Sequence, residues 1–90
     1  MIVLKKQTFN AATANPKSVT VTLQQAGNGL ITIHVSVTRY KSSFQLSQRT
    51  YQMHQMDDLE HFLLDQTDGY YQLVILQWVT RSVNLEVDNI

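Results

Sequence analysis

The stretch Tyr70-Tyr71-Gln72-Leu73-Val74-Ile75-Leu76-Gln77-Trp78-Val79 is the most apolar run in the chain and holds its only tryptophan. A strand with one wet face alternates apolar and polar residues. Here both alternate sets are apolar: Leu73, Ile75 and Val79 on one, Val74, Leu76 and Trp78 on the other. A strand that is apolar on both sides has both faces covered. The run therefore reads as the central strand of a small sheet, with a helix on one face. The other face needs a second cover, either a curled sheet or another chain.

The helix lies just upstream. Leu59, Phe62, Leu63 and Gln66, with Met56 before them, recur at helical spacing, while Asp57, Asp58, His61, Asp65 and Asp68 fall on the opposite side. Asp57 is placed to cap the first turn with Glu60 reaching back, the capping-box spacing. Asp68-Gly69 supplies the stop, glycine being suited to a left-handed terminal residue.

Ahead of the helix the pattern changes to period two. Val19, Val21 and Leu23 alternate with Thr20, Thr22 and Gln24, and Ile31, Ile33, Val35 and Val37 alternate with Thr32, His34, Ser36 and Thr38. Gly27-Asn28-Gly29 between them is the strongest turn signal in the chain, so the two segments form a hairpin. Ile2 to about Phe9 reads as a first strand whose faces are ambiguous. Asn15-Pro16-Lys17-Ser18 reads as a turn after it. Phe44 to Met53 reads as a fourth strand with a change of parity around Gln48 to Thr50, the mark of a bulge or bend. After Val79, the alternation of Val83, Leu85 and Val87 with Asn84, Glu86 and Asp88 reads as an acidic edge strand.

The expected fold is α+β, a single domain over residues 1–90. Its mostly antiparallel sheet is curled or forms a partial barrel, in the order β-β-β-β-α-β-β, with one amphipathic helix over about 57–67. One short helix cannot cover six strands, which leaves apolar surface for the curl of the sheet or for a second subunit.

Charge is divided along the chain. Lys5, Lys6, Lys17, Arg39, Lys41 and Arg49 precede Asp57 with no acid among them, and Arg81 alone offsets the acids from Asp57 onward. Such asymmetry hints at electrostatic partnering. There is no cysteine, which rules out disulfides, thiolate metal sites and cysteine nucleophiles and suits a reducing compartment. Met1-Ile-Val-Leu-Lys-Lys puts its short apolar run before its lysines, the reverse of a secretory leader. No run approaches the roughly 18 apolar residues of a membrane span. The expectation is a cytoplasmic protein.

Chemistry is sparse. His54, Asp57, Asp58 and His61 are ligand types, but their spacing matches no zinc pattern, and an acidic solvated helix face accounts for them. Gly-x-Ser-x-Gly is absent, and Gly27-Asn28-Gly29 precedes a strand rather than a helix, so it is no phosphate loop. No catalytic, cofactor or metal residues are assigned, and the chain is expected not to be an enzyme.

Two binding surfaces remain. Arg39, Tyr40, Lys41, Arg49 and Tyr51 mix cations with rings on strands, the composition of a stacking platform for single-stranded nucleic acid. The neutral overall charge argues against a dedicated binder of that kind. The uncharged outward row Thr32, His34 and Ser36, together with Leu64 on the acidic helix side, forms the candidate contact surface for another protein. The favoured expectation is a non-enzymatic assembly or adaptor module that self-associates through a sheet face or edge. Its partner is a second copy or another protein, and the single-strand binder is the alternative.

Overall fold

A computed structural model describes residues 2–11, 17–39, 45–67, 69 and 72–88. The chain runs β1 (Ile2–Ala11), β2 (Lys17–Gln25), β3 (Ile31–Arg39), β4 (Gln45–Gln52), one 3₁₀ turn at Met53–Gln55, then α1 (Met56–Thr67) and α2 (Gln72–Asp88). The strands pair antiparallel in the order β1-β2-β3-β4. The α+β class, the antiparallel meander and the first helix are those the sequence implies. The sheet stays open, with β1 and β4 as its two edges.

The last two expected strands are instead one helix. In α2 the buried residues are Ile75, Val79, Ser82 and Val83, spaced as one helical face. Leu73 and Val74, which made the run look apolar on both sides, are 71% and 48% exposed. No Gly or Pro interrupts Gln72 to Asp88. The missing turn signal near Thr80 to Ser82 is what an unbroken helix looks like. β-branched residues weaken helix propensity only slightly, and burial of one face overrides them. Tyr70 and Tyr71, which open that stretch, lie outside the described residues.

The core lies between one face of the sheet and the two helices. Val19, Val21 and Leu23 of β2 pair with Val37, Val35 and Ile33 of β3, and all six are fully buried. Leu59 and Leu63 of α1 and Ile75 and Val79 of α2 close over them. Each such side chain contributes about 1.5–3 kcal/mol relative to exposure. The run read as a two-sided strand is thus itself a helix with one buried face, and it covers the sheet together with α1.

Both edge strands carry a one-residue irregularity. In β1, Val3 pairs with Gln24 and Lys5 with Leu23, so Leu4 is the extra residue. That resolves the face ambiguity, because Leu4 and Phe9 both pack on the core. In β4, Val37 pairs with Ser47 and Thr38 with Gln45, so the parity change sits at Leu46 rather than around Gln48 to Thr50. The shift puts Tyr51 opposite Ile33 on the core face.

The turn between β2 and β3 closes with Ala26 N–H donating to the Leu30 carbonyl at 2.9 Å and Gly29 N–H to the Ala26 carbonyl at 2.9 Å. Gly29 takes φ +85, a left-handed conformation that glycine adopts without strain. Capping before α1 also departs from expectation. The backbone N–H of Gln52 donates to Gln55 Oε1 at 2.9 Å across the 3₁₀ turn, while Asp57 and Asp58 lie in the first turn of α1, where they suit the helix dipole. At the other end Gly69, at φ +80, donates to the Leu64 carbonyl at 3.1 Å. Lys17 Nζ donates to the Gln66 carbonyl at 2.7 Å, fastening the start of β2 to the end of α1.

Candidate interaction site beside the fourth strand

Charge divides by layer as well as along the chain. Lys5, Lys6, Lys17, Arg39 and Arg49 belong to the strands, and Asp57, Asp58, Glu60 and Asp65 to α1. The two signs meet where α1 runs beside the free edge of β4. A cleft of about 530 Å³ opens there, with Arg49, Thr50 and Tyr51 on the strand side and Asp58, His61, Phe62 and Asp65 on the helix side. The 3₁₀ turn creates it by folding the chain back on the strand it has just left, and contributes Gln55 to the lining.

The cleft is built around Phe62. Tyr51 packs against it with ring centroids 6.1 Å apart and planes inclined by 58°, and the Arg49 guanidinium carbon lies 5.7 Å from its ring centre, within cation–π range. Tyr51 is only 5% exposed; its buried hydroxyl has no well-aligned hydrogen-bond partner, and Arg49 is the charged donor beside it. Burial pushes the Tyr51 phenol above its ordinary value, and the negative charge of Asp58 adds to this. Arg49 works in the opposite direction.

The expected platform residues are not gathered on one open surface. Arg39 ends β3, exposed, while Arg49 and Tyr51 face the helices. Tyr51 lies beneath Phe62, so it offers no ring to a base. Tyr40 and Lys41 lie outside the described residues. The expected partner row does share one face. Thr32, His34 and Ser36 project from β3 on the side away from the helices, the side opposite their buried neighbours. His34 Nδ1 is 2.9 Å from Thr50 Oγ1, Thr8 Oγ1 is 3.0 Å from Thr20 Oγ1, and Ser18 donates to Asn10 at 2.9 Å. Thr32 Oγ1 is buried there without a partner. Leu64 stands half-exposed on α1.

The His34–Thr50 pair resembles a base beside a hydroxyl, but no Asp or Glu precedes Asp57 to orient the ring from the sheet. Among the described residues no three His, Asp or Glu side chains gather as metal ligands would, and no helix is long and apolar enough to cross a membrane. What the arrangement defines is an open-edged sheet with a mixed-charge cleft along one edge. No protein-family model, curated protein or solved structure is significantly similar to the chain. Sequence reasoning picked out Arg49, Tyr51, Asp58 and His61 for separate reasons, but Phe62 only as core, and nothing in the spacing joined them. The one available signal was the short interval between the last strand residue and the acidic helix, which forces the two side by side.

Proposed function

We propose that the protein is a small non-enzymatic assembly module that self-associates through the edges of its sheet. The observation that carries this reading is that, among the described residues, the sheet ends on both sides in a strand with no outer neighbour, ten residues long at β1 and eight at β4. A free edge offers a row of unused N–H and C=O groups as a template for another chain. Ile2 and Val3, 63% and 57% exposed, keep the start of β1 apolar, ahead of Lys5 and Lys6. A second copy is preferred to an unrelated partner because one chain brings both free edges and both signs of charge. The edges are preferred to the outer face because much of that face's polarity is already bonded within itself. A cytoplasmic setting suits a chain without cysteine.

Size-exclusion chromatography with light scattering tests the reading. The expected result is a mass that rises with concentration, and a strict monomer in concentrated solution overturns it. Single-strand nucleic-acid binding through residues 39–54 has less support, since Tyr51 is buried and the acids of α1 flank Arg49. Salt-sensitive binding to an oligonucleotide, lost when Arg39 and Arg49 are neutralised, would restore it.

A further inference from the structure

We infer that the cleft beside β4 receives strand β1 of a second copy, head to tail, with Lys5 of that copy directed toward Tyr51, Asp58 and Asp65. This pairing rests on the edge-to-edge assembly proposed above and names its contact. Three observations converge on it.

The first is direction. Four strands alternate in sense across the sheet, so β4 and β1 run oppositely. A copy placed beside β4 with its helices on the same side therefore extends the sheet antiparallel. The second is facing. Lys5 pairs with Leu23, Leu23 with Ile33 and Ile33 with Tyr51, so Lys5 and Tyr51 stand in one row on the helix side. In an unstaggered continuation, Lys5 of the second copy comes beside Tyr51. The third is chemistry. Asp58 and Asp65 line the cleft on the helix side of that row. An ammonium group there gives the two carboxylates a counter-charge.

The symmetric alternatives are disfavoured by the same charges. Pairing β1 with β1 sets Lys5 and Lys6 near their own copies, and pairing β4 with β4 does so with Arg49 and the acid wall. Like charges opposed across strands are destabilising. A head-to-tail contact between two different edges grows as a ring or a filament rather than stopping at a two-fold dimer.

A charge exchange tests this. Lys5→Glu and the double variant Asp58→Lys, Asp65→Lys should each be monomeric under conditions where the wild type assembles. Mixed one to one they should recover assembly, because each mixed contact then joins opposite charges. Circular dichroism and Trp78 fluorescence report whether each variant is folded; if the double variant is not, Asp58→Asn with Asp65→Asn takes its place, and assembly retained at wild-type level in that variant overturns the pairing. A wild type that assembles while Lys5→Glu assembles equally well overturns this contact but leaves self-association standing. A monomeric wild type removes both.

Discussion

β3 and α2 are similarly rich in β-branched and leucine side chains, yet one is a strand and the other a helix. In β3 every second residue from Ile31 to Val37 is buried and the residues between are Thr, His and Ser. Polar residues on the wet side mark the period. In α2 the wet side begins with Leu73 and Val74, so the apolar letters carry no period until burial is known. An apolar residue at a surface position is common, because folded proteins lack enough polar surface to cover themselves. The difference teaches that the informative residues in such a run are the polar ones. Gln72, Gln77 and Arg81 recur at steps of five and four, which fits a helix better than a strand.

The largest effect that can break this comparison comes from two alanine substitutions in α2. In a central strand Leu73 and Ile75 share one face, so their truncation would cost alike. In the helix Ile75 is fully buried and Leu73 stands in solvent. Ile75→Ala should cost about 2–5 kcal/mol, as for large-to-small changes in a core, while Leu73→Ala should stay within about 0.5 kcal/mol. Chemical denaturation followed by Trp78 fluorescence reads both, because Trp78 lies on the same helix and packs edge-on against Phe9 of β1 at 6.0 Å. Equal losses would return the segment to the sheet.

How much could be read in advance follows the same rule. The hairpin was legible: alternation on both arms and the Gly27-Asn28-Gly29 signal imply two paired strands with their apolar sets on one face, and the structure sets Leu23 opposite Ile33 and Val19 opposite Val37. The first helix was legible because Asp57, Asp58, Asp65 and the leucines alternate at helical spacing. The cleft was not. Arg49 and Tyr51 sit on a strand whose faces depend on one extra residue at Leu46, and a bulge changes parity without changing composition. Its opposite wall faces them only because a 3₁₀ turn replaces the expected cap at Asp57. Local chain geometry of that kind leaves little trace in residue types.

A smaller effect sharpens the β3 side of the comparison, since its register begins at the turn. Gly29 holds φ +85 with open space around the position of a Cβ, so the cost of an alanine there is conformational alone. Gly29→Ala should lose about 1–2 kcal/mol, the usual penalty of the left-handed region for other residues. Gly27 also has open space and shows no positive φ, so Gly27→Ala should be close to neutral. Thermal melts of the pair decide it. Similar losses at both positions would mean that the turn is closed by some other backbone form.

The smallest effect concerns Tyr51, which pairs with Ile33 across β3 and β4. Its hydroxyl is buried with no well-aligned partner, only Arg49 beside it, and a poorly satisfied buried group costs about 1–3 kcal/mol. Tyr51→Phe removes the group and keeps the ring against Phe62, so the dilute protein should be as stable as the wild type or slightly more so. The pH dependence carries the sign. Burial and Asp58 raise the folded phenol above its ordinary value of 10.0, with Arg49 opposing. The unfolded chain therefore releases this proton first as pH climbs. The stability tied to the neutral phenol is complete below pH about 10 and is lost as pH rises through the folded value. Tyr51→Phe should flatten the alkaline end of the stability profile, measured by denaturant midpoints in dilute solution.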